Sequence, residues 1–218
     1  TAYEIPKRDW SSDVCSSDLT SPRRIELMAL ARIPVRVITP GCEELIRRGE
    51  LPVRMVRRLA AEKAESVLAL QDARGGATVI IAADTTVVAP GGRRILGKPD
   101  DVRQAEQMLR SLSGRTHEVL TGYCILARGE DGRIKKRMRV VRSAVTMRKV
   151  SPAMIRDYVA TGEPMDKAGS YAAQGFGMNW IRSIRGSYTN VVGLPMCELL
   201  TDLEEHFGIL PTRAARGG

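Results

Sequence analysis

Apolar positions along the chain fall into two periods. After Ser21-Pro22, residues Leu27, Leu30 and Ala31 form one stripe of a short helix. Serine suits the position before a helix and proline its first turn. Val53, Val56, Leu59, Ala60, Ala64, Val67 and Leu68 recur at helical spacing and predict a long amphipathic helix over 51–70. Ala105, Met108, Leu109 and Leu112 do the same over 102–112. Ser151-Pro152 opens another helix that Gly162 ends, and Leu194-Pro195 opens a last one running to about Phe207. Between these lie strand-like runs. Ile33 to Ile38 is short and is broken by Pro40-Gly41. Ala77 to Ala83 is continuously apolar and rich in branched residues, which predicts a strand buried on both faces. The runs 118–127 and 134–145 are joined by Glu130-Asp131-Gly132-Arg133 and predict an antiparallel hairpin.

Strands and helices interleave, with one hairpin, and this predicts an α/β protein with a mixed β-sheet and flanking helices. Two stretches depart from the pattern. Residues 1–19 are Ser- and Asp-rich without a sustained period, so they read as an irregular, atypical segment. Residues 211–218 read as a frayed tail. Neither an internal repeat nor a linker requires a split of the rest.

Composition narrows the classes. With 218 residues, 43% hydrophobic and 27% charged, the chain is long enough for a core without disulfides, and whole-chain disorder is excluded. No run approaches the length of a membrane span, and no segment has the form of a secretory signal. Four scattered cysteines and two histidines make a Cys/His zinc site a poor reading, and reduced core cysteines in a cytoplasmic protein are expected. The net charge of +9 favours anionic ligands. An aromatic content of 4% speaks against a base-stacking nucleic-acid surface.

Asp84 is the most informative residue. It follows the buried run and is expected at a strand's C-terminal end, where α/β sheets gather ligands. A carboxylate there can hold a divalent metal or take a proton from water, or it can merely cap the strand. Ser21-Pro22-Arg23-Arg24 sets two cations in the first turn of a helix, where the dipole disfavours them unless an anion binds. Lys63 interrupts an apolar stripe, Lys98 sits in the turn Leu96-Gly97-Lys98-Pro99, and Glu43 and Glu44 follow a chain break. Asp166-Lys167-Ala168-Gly169 and Gly186 to Pro195 are glycine-rich polar runs that let backbone approach a ligand. His117 and His206 have no partner in sequence and read as structural.

Six motifs occur in order: Ser21-Pro22-Arg23-Arg24, Ala83-Asp84-Thr85, Gly97-Lys98-Pro99, Leu112 to His117, Asp166 to Tyr171, and Gly186 to Pro195. Together they resemble the Maf, or septum-formation, family of nucleoside triphosphate pyrophosphatases. The resemblance implies a single two-lobed domain over 20–210, similar to inosine triphosphate pyrophosphatase, with a cleft between the lobes. It implies hydrolysis of a nucleoside triphosphate to the monophosphate and pyrophosphate with Mg²⁺ or Mn²⁺, in the cytoplasm, by a protein that is often a homodimer. Membrane and nucleic acid are not expected partners. By position, Asp84 matches the family's catalytic proton acceptor, and Asp84 and Glu44 its metal carboxylates. Ser21, Arg24, Lys63 and Lys98 match phosphate-binding positions. Arg23, Thr85 and Gln174 match the specificity positions and resemble the dTTP/UTP branch. Glutamine offers both a donor and an acceptor to a pyrimidine edge. The rival readings are the branch for modified purine triphosphates such as 7-methyl-GTP, and a non-enzymatic nucleotide-binding regulator of division. One departure stands out. Leu19 occupies a position where the family has serine, no apolar strand precedes it, and Arg8 to Leu19 looks like a translated sequencing adaptor rather than native chain.

Overall fold

The structure, a computed structural model, describes residues 14–17, 21–33, 35–72 and 78–210. In chain order the elements are β1 (Val14–Ser17), α1 (Pro22–Leu30), β2 (Arg36–Ile38), α2 (Pro52–Asp72), β3 (Thr78–Val88), β4 (Ile95–Leu96), α3 (Val102–Leu112), β5 (Thr116–Arg128), β6 (Ile134–Met147), α4 (Pro152–Ala160), β7 (Ile181–Arg185), α5 (Tyr188–Val192) and α6 (Met196–Phe207). Short 3₁₀ turns fill 163–180. The strands form one mixed sheet in the order β2-β1-β3-β5-β6-β7, with β4 beside the far end of β3. β1 runs parallel to β2 and β3, and the remaining pairs are antiparallel.

Local chemistry sets the helix starts. The Asp101 carboxylate accepts from Gln104 N at 2.7 Å, and the Ser151 hydroxyl accepts from Met154 N at 3.3 Å. Pro22 and Pro152 stand in first turns, where no N–H is needed. Ser21 precedes α1 without a side-chain cap and lines a cleft.

Side-chain alternation divides the sheet. On one face α2 covers the whole length, with Val56, Leu59, Ala60, Ala64 and Val67 against Ile80, Ala82, Val88, Leu120 and Cys124. The other face carries two separate cores. Leu27, Met28, Leu199 and Leu203 of α1 and α6 pack on Val79, Ile81, Ala83 and Tyr123. Leu109, Leu112, Ile155 and Val159 of α3 and α4 pack on Val87, Val119 and Val145. Between the cores the same face is polar: Thr85 separates Ala83 from Val87, Thr121 separates Tyr123 from Val119, and Ser143 precedes Val145. This stripe of hydroxyls divides the molecule into two lobes, and the expected mixed α/β sheet with flanking helices and an inter-lobe cleft is what forms.

Two expectations need correction, and one element was not expected. The segment before Thr20 is not irregular throughout. Val14–Ser17 pairs with β2 and β3 from Cys15↔Arg36 to Ser17↔Ala82, because the gap between those two strands offers ladder partners on both sides. The buried strand does not end at Asp84 but continues through Thr85-Thr86-Val87-Val88, which pair with β5. Residues 181–185, for which the apolar pattern predicted no element, form β7, an edge strand of half-buried and exposed residues. The rest of 1–19 and the tail 211–218 lie outside the described residues.

Candidate active site

A cleft of about 290 Å³ opens between the lobes, with a lining more polar than apolar. Its walls include Ser21, Arg23, Arg24, Glu44, Lys63, Asp84, Thr85 and Lys98. Of the residues expected from sequence, only Gln174 is absent from the lining. It is exposed, next to Ala173, which does line the cleft.

Asp84 sits where the sheet opens. Among the described residues the parallel ladder of β1 runs to Ser17↔Ala82, so Asp84 lies two residues beyond the last paired position. That is the sheet edge at which α/β ligand sites form. The carboxylate is buried, and Lys63 Nζ lies 2.9 Å from its Oδ1. Burial raises the Asp84 pKa above the ordinary carboxylate value, with the Lys63 charge and hydrogen bond opposing.

Lys63 reaches this position from the buried face of α2, where it is 1% exposed. Its Nζ also lies 2.8 Å from Glu44 Oε1, on the exposed loop before α2. One ammonium therefore draws two carboxylates together. A glycine makes the approach possible. Gly122 is the cross-strand partner of Asp84, and a Cβ there would stand 2.4 Å from Val56 O of α2. The helix backbone rests on the sheet at that point.

The second arginine of the helix start is spent on the protein itself. Arg24, 7% exposed, donates from Nε to Gly193 O (2.8 Å), from Nη1 to Ala83 O (2.9 Å) and from Nη2 to Thr85 Oγ1 (2.9 Å). Thr85 Oγ1 also lies 2.9 Å from Thr121 Oγ1 and donates to Gly193 O at 3.1 Å. Arg23 points into the cleft toward Asp166, whose charge opposes the lowering of the Arg23 pKa by burial. Lys98 is exposed at the rim.

Sequence reasoning missed several residues here. Asn190, fully buried, donates to Val119 O (3.1 Å) and Ser143 Oγ (2.9 Å), tying α5 to the polar stripe. Thr121 donates to Asn190 O at 3.2 Å. Their only sequence signal was a polar residue inside a buried or glycine-rich run. Asp166 and Lys167 form an ion pair on the cleft wall. His117 was read as structural; its Nε2 lies 2.8 Å from the hydroxyl of Tyr171, a cleft-lining residue.

The donor set suits one kind of metal. Among the described residues no group of three or more His, Cys, Asp or Glu side chains comes together, so a full protein cage is not built. Two carboxylates that already share a positive charge suit a hard divalent cation that keeps substrate oxygens as ligands.

Fold and cleft together define an α/β protein with cations and a buried carboxylate at an anion-sized opening. The family model described as Maf-like protein matches residues 19–206, and the chain belongs to that family. Three relatives bear the name dTTP/UTP pyrophosphatase. The one from Syntrophus aciditrophicus is 45% identical over 85% of this chain and 86% of its own length. That of Geobacter sp. (strain M21) is 45% identical over 84% and 90%. That of Sphingopyxis alaskensis is 46% identical over 82% and 89%. Among solved structures, the Ham1 protein of Staphylococcus aureus aligns with a TM-score of 0.40 and 15% identity over 78% of this chain and 80% of that one, too loose a likeness to argue from.

Proposed function

We propose that this protein hydrolyses dTTP and UTP to the monophosphate and pyrophosphate in the cleft between its lobes. The observation that carries the reading is the buried Asp84–Lys63 pair in the cleft, with the exposed Glu44 held against the same ammonium. The name shared by the relatives supports the substrates.

In this reading a water oxygen attacks the α-phosphorus, the bond to the bridging oxygen breaks, and Asp84 takes the water's proton. A carboxylate whose pKa is raised by burial is a better base than an exposed one. Lys63 holds Asp84 and Glu44 in register, and Ser21 and Lys98 face the triphosphate. Arg23, half-buried in the cleft wall, adds a positive charge toward the phosphates. Asp84 and Glu44 would hold a Mg²⁺ or Mn²⁺ ion, which supplies charge neutralisation on the phosphate oxygens. Arg23, with Gln174 at the rim, reads the base.

The test is pyrophosphate release from dTTP, UTP, GTP and 7-methyl-GTP, with Mg²⁺ and with EDTA. The expected result is turnover of dTTP and UTP, abolished by EDTA and restored by Mg²⁺ or Mn²⁺. Asp84→Asn is expected to lower turnover by roughly 10²-fold or more. Preference for 7-methyl-GTP would move the protein to the purine branch. Near-normal turnover in folded Asp84→Asn would remove that residue as the base.

A further inference from the structure

The hydrogen bonds at the floor of the cleft assign a different task to two residues that the family resemblance places on the nucleotide. We infer that Arg24 and Thr85 are positioning residues that lock Asp84 in place, rather than ligands of the phosphates or the base. The inference rests on the reading of Asp84 as the base of the hydrolytic reaction.

The geometry begins with the backbone. The β1 ladder stops at Ala82, and the next carbonyl along β3, that of Ala83, is taken by Arg24 Nη1. Thr85 receives Nη2 of the same guanidinium. One planar group therefore grips β3 immediately before and immediately after Asp84. Its third donor, Nε, holds Gly193 O, so the grip extends to the segment that follows α5. Three acceptors set by one rigid fork define a direction as well as a distance, which an ammonium cannot reproduce. The Asp84 side chain lies on the opposite face of β3, toward Lys63. Fixing the backbone on one face thus fixes the carboxylate on the other.

Thr85 is engaged by the protein on three sides. A hydroxyl offers one donor and two acceptor positions. Here it meets Gly193 O at 3.1 Å, Arg24 Nη2 at 2.9 Å and Thr121 Oγ1 at 2.9 Å. Thr121 and Asn190 continue the same network into β5 and β6. The unit joins both lobes at the hydroxyl stripe, so a change in it is transmitted to Asp84 and not to one end of the nucleotide.

The test uses the full chain and the variants Arg24→Lys, Thr85→Val, Thr85→Ser, the double Arg24→Lys/Thr85→Val, and Asp84→Asn. For a positioning unit, Arg24→Lys and Thr85→Val each lower kcat about tenfold or more while KM changes less than about threefold. The loss is equal for dTTP and UTP. The double variant is no worse than the poorer single, because both break the same unit. Thr85→Ser, which keeps the hydroxyl, recovers most of the turnover lost in Thr85→Val. Calorimetric binding of a non-hydrolysable α,β-imido dTTP gives a second readout independent of turnover, and its Kd is expected to stay within about threefold in both single variants. A tenfold weaker Kd in Arg24→Lys would make it a phosphate ligand. A changed dTTP-to-UTP ratio in Thr85→Val would make Thr85 a base reader, and multiplying effects in the double variant would show two independent roles. Any of these overturns the inference. If Arg24→Lys fails to fold, Thr85→Val and Thr85→Ser decide it. Active Asp84→Asn would instead overturn the reading on which the inference stands.

Discussion

At the scale of single residues, burial without a charge partner has a consequence for acid stability. His117 is 1% exposed, bonded to the Tyr171 hydroxyl through Nε2, and its Nδ1 has no partner among the described residues. Burial pushes its pKa down from 6.5 to about 4, while burial raises that of the Tyr171 phenol, so the pair stays neutral. A depressed folded-state pKa means that the unfolded chain takes up a proton first as pH falls. The stability is therefore complete above pH 6.5 and is lost between that value and about 4. The loss reaches on the order of 3 kcal/mol. Urea midpoints measured from pH 7.5 to 4.5 are expected to fall steeply in the parent and less steeply in His117→Gln. Parallel slopes would exclude His117 as the source. The sequence showed His117 only as a lone histidine, because the 54-residue separation from Tyr171 hides their contact. Arg24 shows the same limit. Its place in a motif was legible, but its acceptors at Ala83, Thr85 and Gly193 lie 59 to 169 residues away, so its role was not.

At the scale of elements, local chemistry was read well and tertiary competition was not. Helix starts at Pro22 and Pro152 and the α3 span follow from caps and apolar spacing, which are properties of a few adjacent residues. The continuation of β3 past Asp84 was hidden because a carboxylate reads as a strand end, whereas pairing with β5 and the branched residues after it carry the strand on. β7 was hidden because an exposed edge strand lacks a buried stripe. The packing of α2 on β5 depends on one missing Cβ. Gly122 faces Val56 O, so Gly122→Ala must push the helix backbone away from the sheet. Overpacking of this kind costs about 1–3 kcal/mol. Because Lys63 rides on the same helix and Gly122 lies across from Asp84, the displacement also separates Nζ from the carboxylate. Gly122→Ala is expected to lower both the urea midpoint and dTTP turnover, while Gly132→Ala, at an open turn, leaves turnover unchanged. Full turnover in folded Gly122→Ala would show that the helix position is not what sets Lys63 against Asp84.

At the scale of the whole molecule, two cores share one sheet, and the stripe of Thr85, Thr121 and Ser143 keeps them apart. The lobe that carries α1 depends on β1, since among the described strands β2 joins the sheet only through β1. Yet β1 reads Val-Cys-Ser-Ser, where a strand between two parallel neighbours is ordinarily apolar and branched. Register sets Cys15 against Ile80 and Ser16 against Ile81, residues that are fully buried in cores on opposite faces. Serine is a poorer strand former than a branched apolar residue and has less apolar surface to bury. The pair Cys15→Val and Ser16→Val is therefore expected to stabilise the chain by roughly 1–2 kcal/mol, which for a chain of this size raises Tm by about 2–8 °C. Turnover of dTTP should rise as well, because β1 pairs with β3, the strand that carries Asp84 at the cleft. The measurement is the thermal midpoint and the dTTP turnover of the parent and the double variant side by side. Unchanged midpoint and turnover would mean that residues 14–17 contribute to the sheet as they stand, and that their polar sequence belongs to the fold.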